Sequence, residues 1–228
     1  MNHRPTATYA EFIALMPLRN RLRAAARDLA LRGLALGRRI DADANWIRFP
    51  YYHHVFEDER RGFARQLDYL GNFGEFISLD AAVSLLESGD VIDGRYFSIT
   101  FDDGFKSCLT GAAPILAERN IRAAFYVVTG LVGRSLPPDD ATARRVFGFK
   151  GKDTALDFLS WDDCRALMES GMTIGSHSHT HATLAELEAG AVATEMRESK
   201  AAIERELGVA CHHFCTPYGL PGADGHAN

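Results

Sequence analysis

The tightest constraint on this chain is the stretch Tyr96-Phe97-Ser98-Ile99-Thr100-Phe101-Asp102-Asp103-Gly104. An apolar, β-prone run ends abruptly in two adjacent carboxylates and a glycine. That is the pattern of a buried strand delivering two acids to a turn. Paired carboxylates repel each other and desolvation penalises both, so such a strand end calls for a cationic partner. Metal ligands elsewhere in the chain are the candidates.

Strands and helices alternate around this point. Arg48 to Val55 (Arg-Phe-Pro-Tyr-Tyr-His-His-Val) reads as a strand, and residues 60–72 as a helix with Phe63, Leu67 and Leu70 on one face. Ile77-Ser78-Leu79-Asp80 leads into a helix to about Ser88, with Ser78 or Asp80 as cap and Gly89 as stop. After the acid pair come a helix over Leu109–Arg119 and a buried strand over Ala123–Val128. A helix capped by Ser160, a short strand over 172–175, a long helix over 184–207 ended by Gly208, and a last strand over 209–215 follow. Residues 130–160 show no period, which points to a functional loop or lid. The alternation predicts an α/β fold with a parallel sheet, open or closed into a barrel. At 228 residues the chain suits one large domain. We place it at 46–228, preceded by a basic helical extension over 1–45 whose first eight residues are expected to be loose.

Net charge is −5, but residues 9–39 hold seven arginines against Glu11 and Asp28, so this stretch carries +5 and the remainder −10. An acidic body argues against nucleic acid as the main partner. From Leu18 to Leu36, Leu22, Ala26, Leu29 and Ala30 fall at helical spacing with arginines on the other face. The plain reading is a packed helix with a solvated basic side; the sharper one is peripheral contact with an anionic membrane. No secretory signal and no membrane-length apolar run is visible, so a cytoplasmic protein is expected. Cys211 and Cys215 bracket His212 and His213, but no second ligand pair follows, and ordinary reduced thiols are the simpler reading for all four cysteines.

Asp102 and Asp103, His177 and His181, and Pro217 and Tyr218 each follow the C-terminal end of an expected strand, and His53 and His54 lie near the end of another. In α/β folds active sites form on that rim. On a helical turn, His177 and His181 share a face and His179 points away; in an extended segment all three share it. With one carboxylate, two histidines make an open, catalytic type of metal site. The other carboxylate is then a general base for water, a backbone N–H near Pro217-Tyr218 an oxyanion donor, and a histidine from another strand the acid for the leaving group. The chemistry is hydrolysis of an amide or ester. No P-loop, dinucleotide fingerprint or Gly-x-Ser-x-Gly motif competes.

Three motifs in order resemble the polysaccharide deacetylase family (carbohydrate esterase family 4, NodB-like). They are Thr100-Phe101-Asp102-Asp103-Gly104, His177-Ser178-His179-Thr180-His181 and Phe214-Cys215-Thr216-Pro217-Tyr218-Gly219. The resemblance covers residues 48–219. It implies a distorted (β/α)7 barrel and a divalent metal, zinc first with Co2+, Ni2+ or Mn2+ as alternatives. It also implies Asp102 as base, Asp103, His177 and His181 as metal ligands, and the Tyr218 N–H at the oxyanion. The implied reaction removes an N-acetyl group from an amino sugar in a glycan or sugar intermediate. Cys215 stands where the family has an arginine that holds the base. The later family motifs, including the histidine that serves as acid, are absent, so the barrel is expected to be incomplete at its C-terminus. Phe49-Pro50-Tyr51-Tyr52-His53-His54-Val55 is similar to the N-terminal element of the permuted poly-N-acetylglucosamine deacetylases, which implies His53 as general acid, with His54 as alternative. Pro217, His54 and Trp161 are candidates for contacting the sugar. Alternatives with the same site are an O-acetyl esterase, a formamido-sugar deformylase, or an inactive saccharide-binding protein.

Overall fold

The computed structural model describes residues 3–35 and 45–219. Its elements are β1 (Arg4–Pro5), α1 (Tyr9–Phe12), α2 (Leu18–Ala35), β2 (Trp46–Arg48), β3 (Tyr51–Tyr52), α3 (Arg60–Leu70), β4 (Glu75–Phe76), α4 (Leu79–Glu87), β5 (Arg95–Phe97), β6 (Thr100–Phe101), α5 (Ala113–Glu118), β7 (Ala124–Val127), β8 (Ser135–Leu136), α6 (Ala141–Arg145), β9 (Thr154–Asp157), α7 (Trp161–Glu169), β10 (Thr173–Ser176) and α8 (Ala189–Leu207). Ser78 caps α4 through the Ala81 N–H, Ser160 and Asp163 form a capping box on α7, and Gly208 ends α8 in the left-handed conformation.

The strand expected over 48–55 is two short strands, because Phe49-Pro50 interrupts it and proline has no N–H for the ladder. β2 pairs with β5 and β3 with β6, both parallel. On the opposite edge of 95–101, β4 and then β7 follow one another: Ile77 N donates to Phe97 O and Ala124 N to Ile99 O. β10 continues from β7, and Phe214 makes a single parallel bridge to Ser176 where a longer last strand was expected. The result is an α/β array with parallel pairing, and the described strands do not close into a ring.

Helices pack on this array through Phe63, Leu67, Leu116, Leu167 and Ile203, which cluster with Phe101, Phe125 and Ile174 from the strands and with Ile99 between β5 and β6. Phe101 and Phe125 stack with centroids 4.7 Å apart. Each such side chain contributes about 1.5–3 kcal/mol on burial. The packing fixes β6, β7 and β10 side by side, so the residues that follow them emerge together.

The segment 130–160 is ordered. β8 and β9 pair antiparallel, β1 joins β9 in parallel, and Leu131, Leu136, Phe149, Leu156 and Phe158 form a second apolar cluster around Phe105. Residues 4–12, expected to be loose up to residue 8, are held here. Thr6 N donates to Ala155 O, and Lys150 N donates to Phe12 O. By contrast α2 leaves large apolar side chains in solvent: Leu18, Leu22 and Leu29 are 69%, 61% and 72% exposed.

Candidate active site

The floor is built where β6 and β10 end. Asp102 N donates to Tyr52 O, which continues the ladder one residue past β6. Asp103 and Gly104 then take left-handed conformations, φ 70° and 74°, and turn the chain so that Asp103 is buried. A Cβ at residue 104 would lie 3.2 Å from Val127 Cα, so glycine suits both the turn and the close approach. After β10, His177 N donates to Val127 O, while Ser178 and His181 are left-handed at φ 64° and 62°. These two residues, rather than a helical turn or an extended segment, bring the His177 and His181 rings to 5.0 Å. His179 turns away, with Nδ1 2.9 Å from Thr129 Oγ1.

Asp103 Oδ1 lies 3.0 Å from His181 Nε2 and 3.4 Å from His177 Nε2, and all three residues are buried. Burial opposes charge on Asp103, but the adjacent imidazoles hold its carboxyl well below the usual range. Burial likewise opposes charge on His177, but Asp103 and Cys215 raise it to about 10. The geometry is nevertheless poor for hydrogen bonding: Asp103 Oδ1 and His181 Nδ1 are buried without a well-directed partner. His177 Nδ1 is 2.9 Å from Cys215 O, so Nδ1–H donates to that carbonyl and Nε2 faces Asp103. A carboxylate and two imidazoles within 4.8 Å, with an orphaned carboxylate oxygen among them, fit a divalent cation.

Asp102 lies beside this group. Burial raises its pKa; His177 and His53 oppose the rise, and Asp103 adds to it. Cys215, in the place of the expected arginine, lines the same cavity and slightly lowers the Asp102 pKa, but a thiol is a weak donor. Asp102 Oδ1 is buried with no hydrogen-bond partner.

Above the floor opens a cavity of about 780 Å3, walled by Phe12, Phe49, Tyr51, Phe105, Phe147 and Tyr218. Both expected histidines reach it, in different states. His54 Nδ1 is 3.0 Å from Ser107 Oγ, and its ring stacks on Phe105 and Phe56 at 3.9 and 4.6 Å and meets Phe12 at 4.9 Å. Burial pushes its pKa down to about 3, so it stays neutral. The His53 side chain is 48% exposed, with Nε2 4.0 Å from Asp103 Oδ2. Tyr218, at φ 61°, packs edge-on against His181. Among the described residues no backbone hydrogen bond engages the Tyr218 N–H.

Asp102, Asp103, His177, His181, His53, His54 and Tyr218 therefore converge. Pro217 is buried beneath the turn, between the lining residues Thr216 and Tyr218. Trp161 corrects the expectation of a sugar contact: as the first residue of α7 it packs against the main core and does not line the cavity. Cys211 and Cys215 join no metal cluster among the described residues, and His213 Nε2 instead meets Asp80 Oδ1 at 2.8 Å. Sequence reasoning missed Phe12, Phe105 and Phe147. The dense aromatics around Asp102 and in the aperiodic 141–149 stretch were the available signal.

A family model described as polysaccharide deacetylase matches residues 91–225. Among solved structures, IcaB from Ammonifex degensii is similar at 26% identity and TM-score 0.61, covering 77% of this chain and 76% of that one. The Streptococcus pyogenes deacetylase PplD in complex with acetate is 22% identical at TM-score 0.57, over 75% and 73% of the two chains. A de-N-acetylase from Aggregatibacter actinomycetemcomitans is 17% identical at TM-score 0.59, over 76% and 80%; these last two show a shared fold. No curated protein matches significantly.

Proposed function

The chain belongs to the polysaccharide deacetylase family and is a sugar deacetylase, and from that premise we propose that it is a metal-dependent N-deacetylase of an amino-sugar glycan of the poly-N-acetylglucosamine type. The observation that carries this reading is the buried Asp103–His177–His181 group, with its orphaned carboxylate oxygen, beside a second, high-pKa carboxylate at the floor of one cavity. Asp103, His177 and His181 would hold the cation, zinc first, and when bound it supplies Lewis acidity towards water and the acetamido carbonyl.

The chain's own groups do the rest. Asp102, whose burial raises its basicity, takes the proton of the attacking water. The Tyr218 N–H hydrogen-bonds the oxyanion of the tetrahedral intermediate. His53, half exposed at the cavity, gives a proton to the departing nitrogen, the C–N bond breaks, and acetate and a free amino sugar leave. His54 stays neutral in its aromatic cage and positions the wall. Exposed Phe49, Tyr51 and Tyr218 offer apolar faces for sugar rings.

The test is acetate release from N-acetylglucosamine oligomers before and after chelation, and again after adding back Zn2+, Co2+, Ni2+ or Mn2+. Acetate release that stops on chelation and returns with one of these ions supports the reading. Formate from a formamido sugar, or acetate from an O-acetyl sugar alone, replaces it with the deformylase or the esterase. Activity unaffected by chelation overturns it.

The exposure of α2 supports a second part of the proposal, peripheral docking on an anionic membrane. Leu18, Leu22 and Leu29 lie on one exposed stripe flanked by Arg19, Arg21 and Arg23, and among the described residues no helix is long and apolar enough to cross a membrane. Co-sedimentation with phosphatidylglycerol vesicles but not phosphatidylcholine vesicles, lost in a Leu22→Glu/Leu29→Glu variant, is expected. Equal recovery with both vesicles, or concentration-dependent dimerisation through the same leucines, contradicts it.

A further inference from the structure

The floor poses a mechanical problem. Between His177 and His181 the chain makes a five-residue loop with two non-glycine residues, Ser178 and His181, in the left-handed conformation. Such residues cost on the order of 1–3 kcal/mol each and persist only when their surroundings hold them. The helix that follows supplies the hold. Glu195 Oε2 accepts from the backbone N–H of both His179 and Thr180 at 2.8 Å, and Oε1 accepts from Thr180 Oγ1 at 2.7 Å. One turn further along the same face, Ser199 is fully buried and accepts from Ser176 Oγ at 2.7 Å; Ser176 Oγ in turn accepts from Ser178 N at 3.3 Å. Ser178 Oγ closes the loop by accepting from His181 N at 3.0 Å.

On the other side of the loop, Thr129 N and Gly130 N donate to Ser178 O and His179 O. A Cβ at residue 130 would come within 2.6 Å of His179 O, so this approach requires glycine. The loop is thus clamped between α8 and the turn after β7. Among the described residues Glu195 is the group that takes the two amides at its apex. Burial alone would raise the Glu195 pKa, but the donors from Thr180 and His179 keep it below the usual range, so the clamp is a carboxylate.

We infer that Glu195 is a positioning residue: it touches neither substrate nor the imidazoles, and fixes the separation of His177 and His181 by pinning the amides of residues 179 and 180. The inference rests on the metal-ligand reading of His177 and His181. Glu195→Ala leaves those amides unpaired and releases the strained loop. Glu195→Gln keeps an oxygen that can accept from both.

The experiment compares wild type, E195A and E195Q in two measurements: Zn2+ affinity by competition with a chromogenic chelator, and hydrogen exchange of the loop amides in the metal-free protein. E195A is expected to weaken Zn2+ binding about tenfold or more, the range for groups that orient ligands from outside the first set. It should also speed exchange at residues 179 and 180, while the amides of β7 and β10 stay protected. E195Q should restore both to within about threefold of wild type. Unchanged affinity in E195A overturns the inference, as does unchanged exchange at 179 and 180. Equal loss in E195A and E195Q, accompanied by faster exchange in β7 and β10, also overturns it, because the residue would then be serving general stability. If wild type binds no Zn2+, the ligand reading fails instead, and the exchange arm still decides whether Glu195 pins the loop.

Discussion

The floor and the wall of the cavity are built on different principles. The floor is charged, buried and incompletely bonded: Asp102 Oδ1, Asp103 Oδ1 and His181 Nδ1 lack partners. The wall is aromatic and well packed, with His54 held between phenylalanine rings and a serine. His53 and His54, adjacent in the chain, fall on either side of this divide. Unsatisfied polar groups are retained where chemistry needs them, and the neighbouring apolar packing holds them in place. Substitutions on the floor should therefore remove activity with little loss of stability. Those in the wall should do the reverse.

The largest effect is expected at the floor. His181→Ala should lower both metal content and acetate release by roughly a hundredfold or more, with the fold intact by circular dichroism. Full metal retention in this variant would break the contrast. Next, His53→Ala should reduce kcat by about 10²–10³ with metal content and melting temperature near those of wild type, as expected for loss of a general acid. If His54→Ala instead gave that kinetic loss without destabilisation, the two histidines would have to be exchanged.

His54→Ala is expected to act on stability, by about 3 kcal/mol in denaturant unfolding, through loss of ring packing and the Ser107 contact. The pH dependence sharpens this point. Burial depresses the His54 pKa from the ordinary 6.5 to about 3. The unfolded chain therefore binds the proton first. Stability contributed by neutral His54 is complete above pH 6.5 and is lost as pH falls towards 3, with about 2 kcal/mol gone by pH 5. The slope between pH 6.5 and 5 should flatten in His54→Phe and persist in His53→Ala. The smallest effect belongs to the wall's solvent-exposed edge, where little packing is lost: Tyr51→Ala should raise KM a few-fold, about 1 kcal/mol of binding, at nearly constant kcat and stability.

The same divide governs what could be read from the sequence. Asp102-Asp103-Gly104 and His177 to His181 were legible because strand ends and ligand spacing leave local marks, and the parallel α/β fold followed from alternating periods. The left-handed turns at Ser178 and His181 were not legible, since serine and histidine do not announce a positive φ as glycine does. Phe12 and Phe147 reach the cavity from segments with short elements and no sustained period, held by contacts such as Lys150 N to Phe12 O that link distant stretches of chain. Trp161 misled for a related reason: a tryptophan at a helix start looks available, and only the packing of α7 reveals that the ring serves the core. Cys215 in the arginine position was visible at once, but its place beside Asp102 in one cavity depends on the fold.

The division of labour between the two adjacent carboxylates is the centre of this account, and one measurement addresses it directly. Metal content and acetate release should be determined together for Asp102→Asn and Asp103→Asn. Asp102→Asn should hold one equivalent of metal and turn over at under about a hundredth of the wild-type rate, whereas Asp103→Asn should lose the metal. An Asp102→Asn protein that loses its metal, or that keeps wild-type turnover, would contradict the assignment of Asp102 as base and Asp103 as ligand.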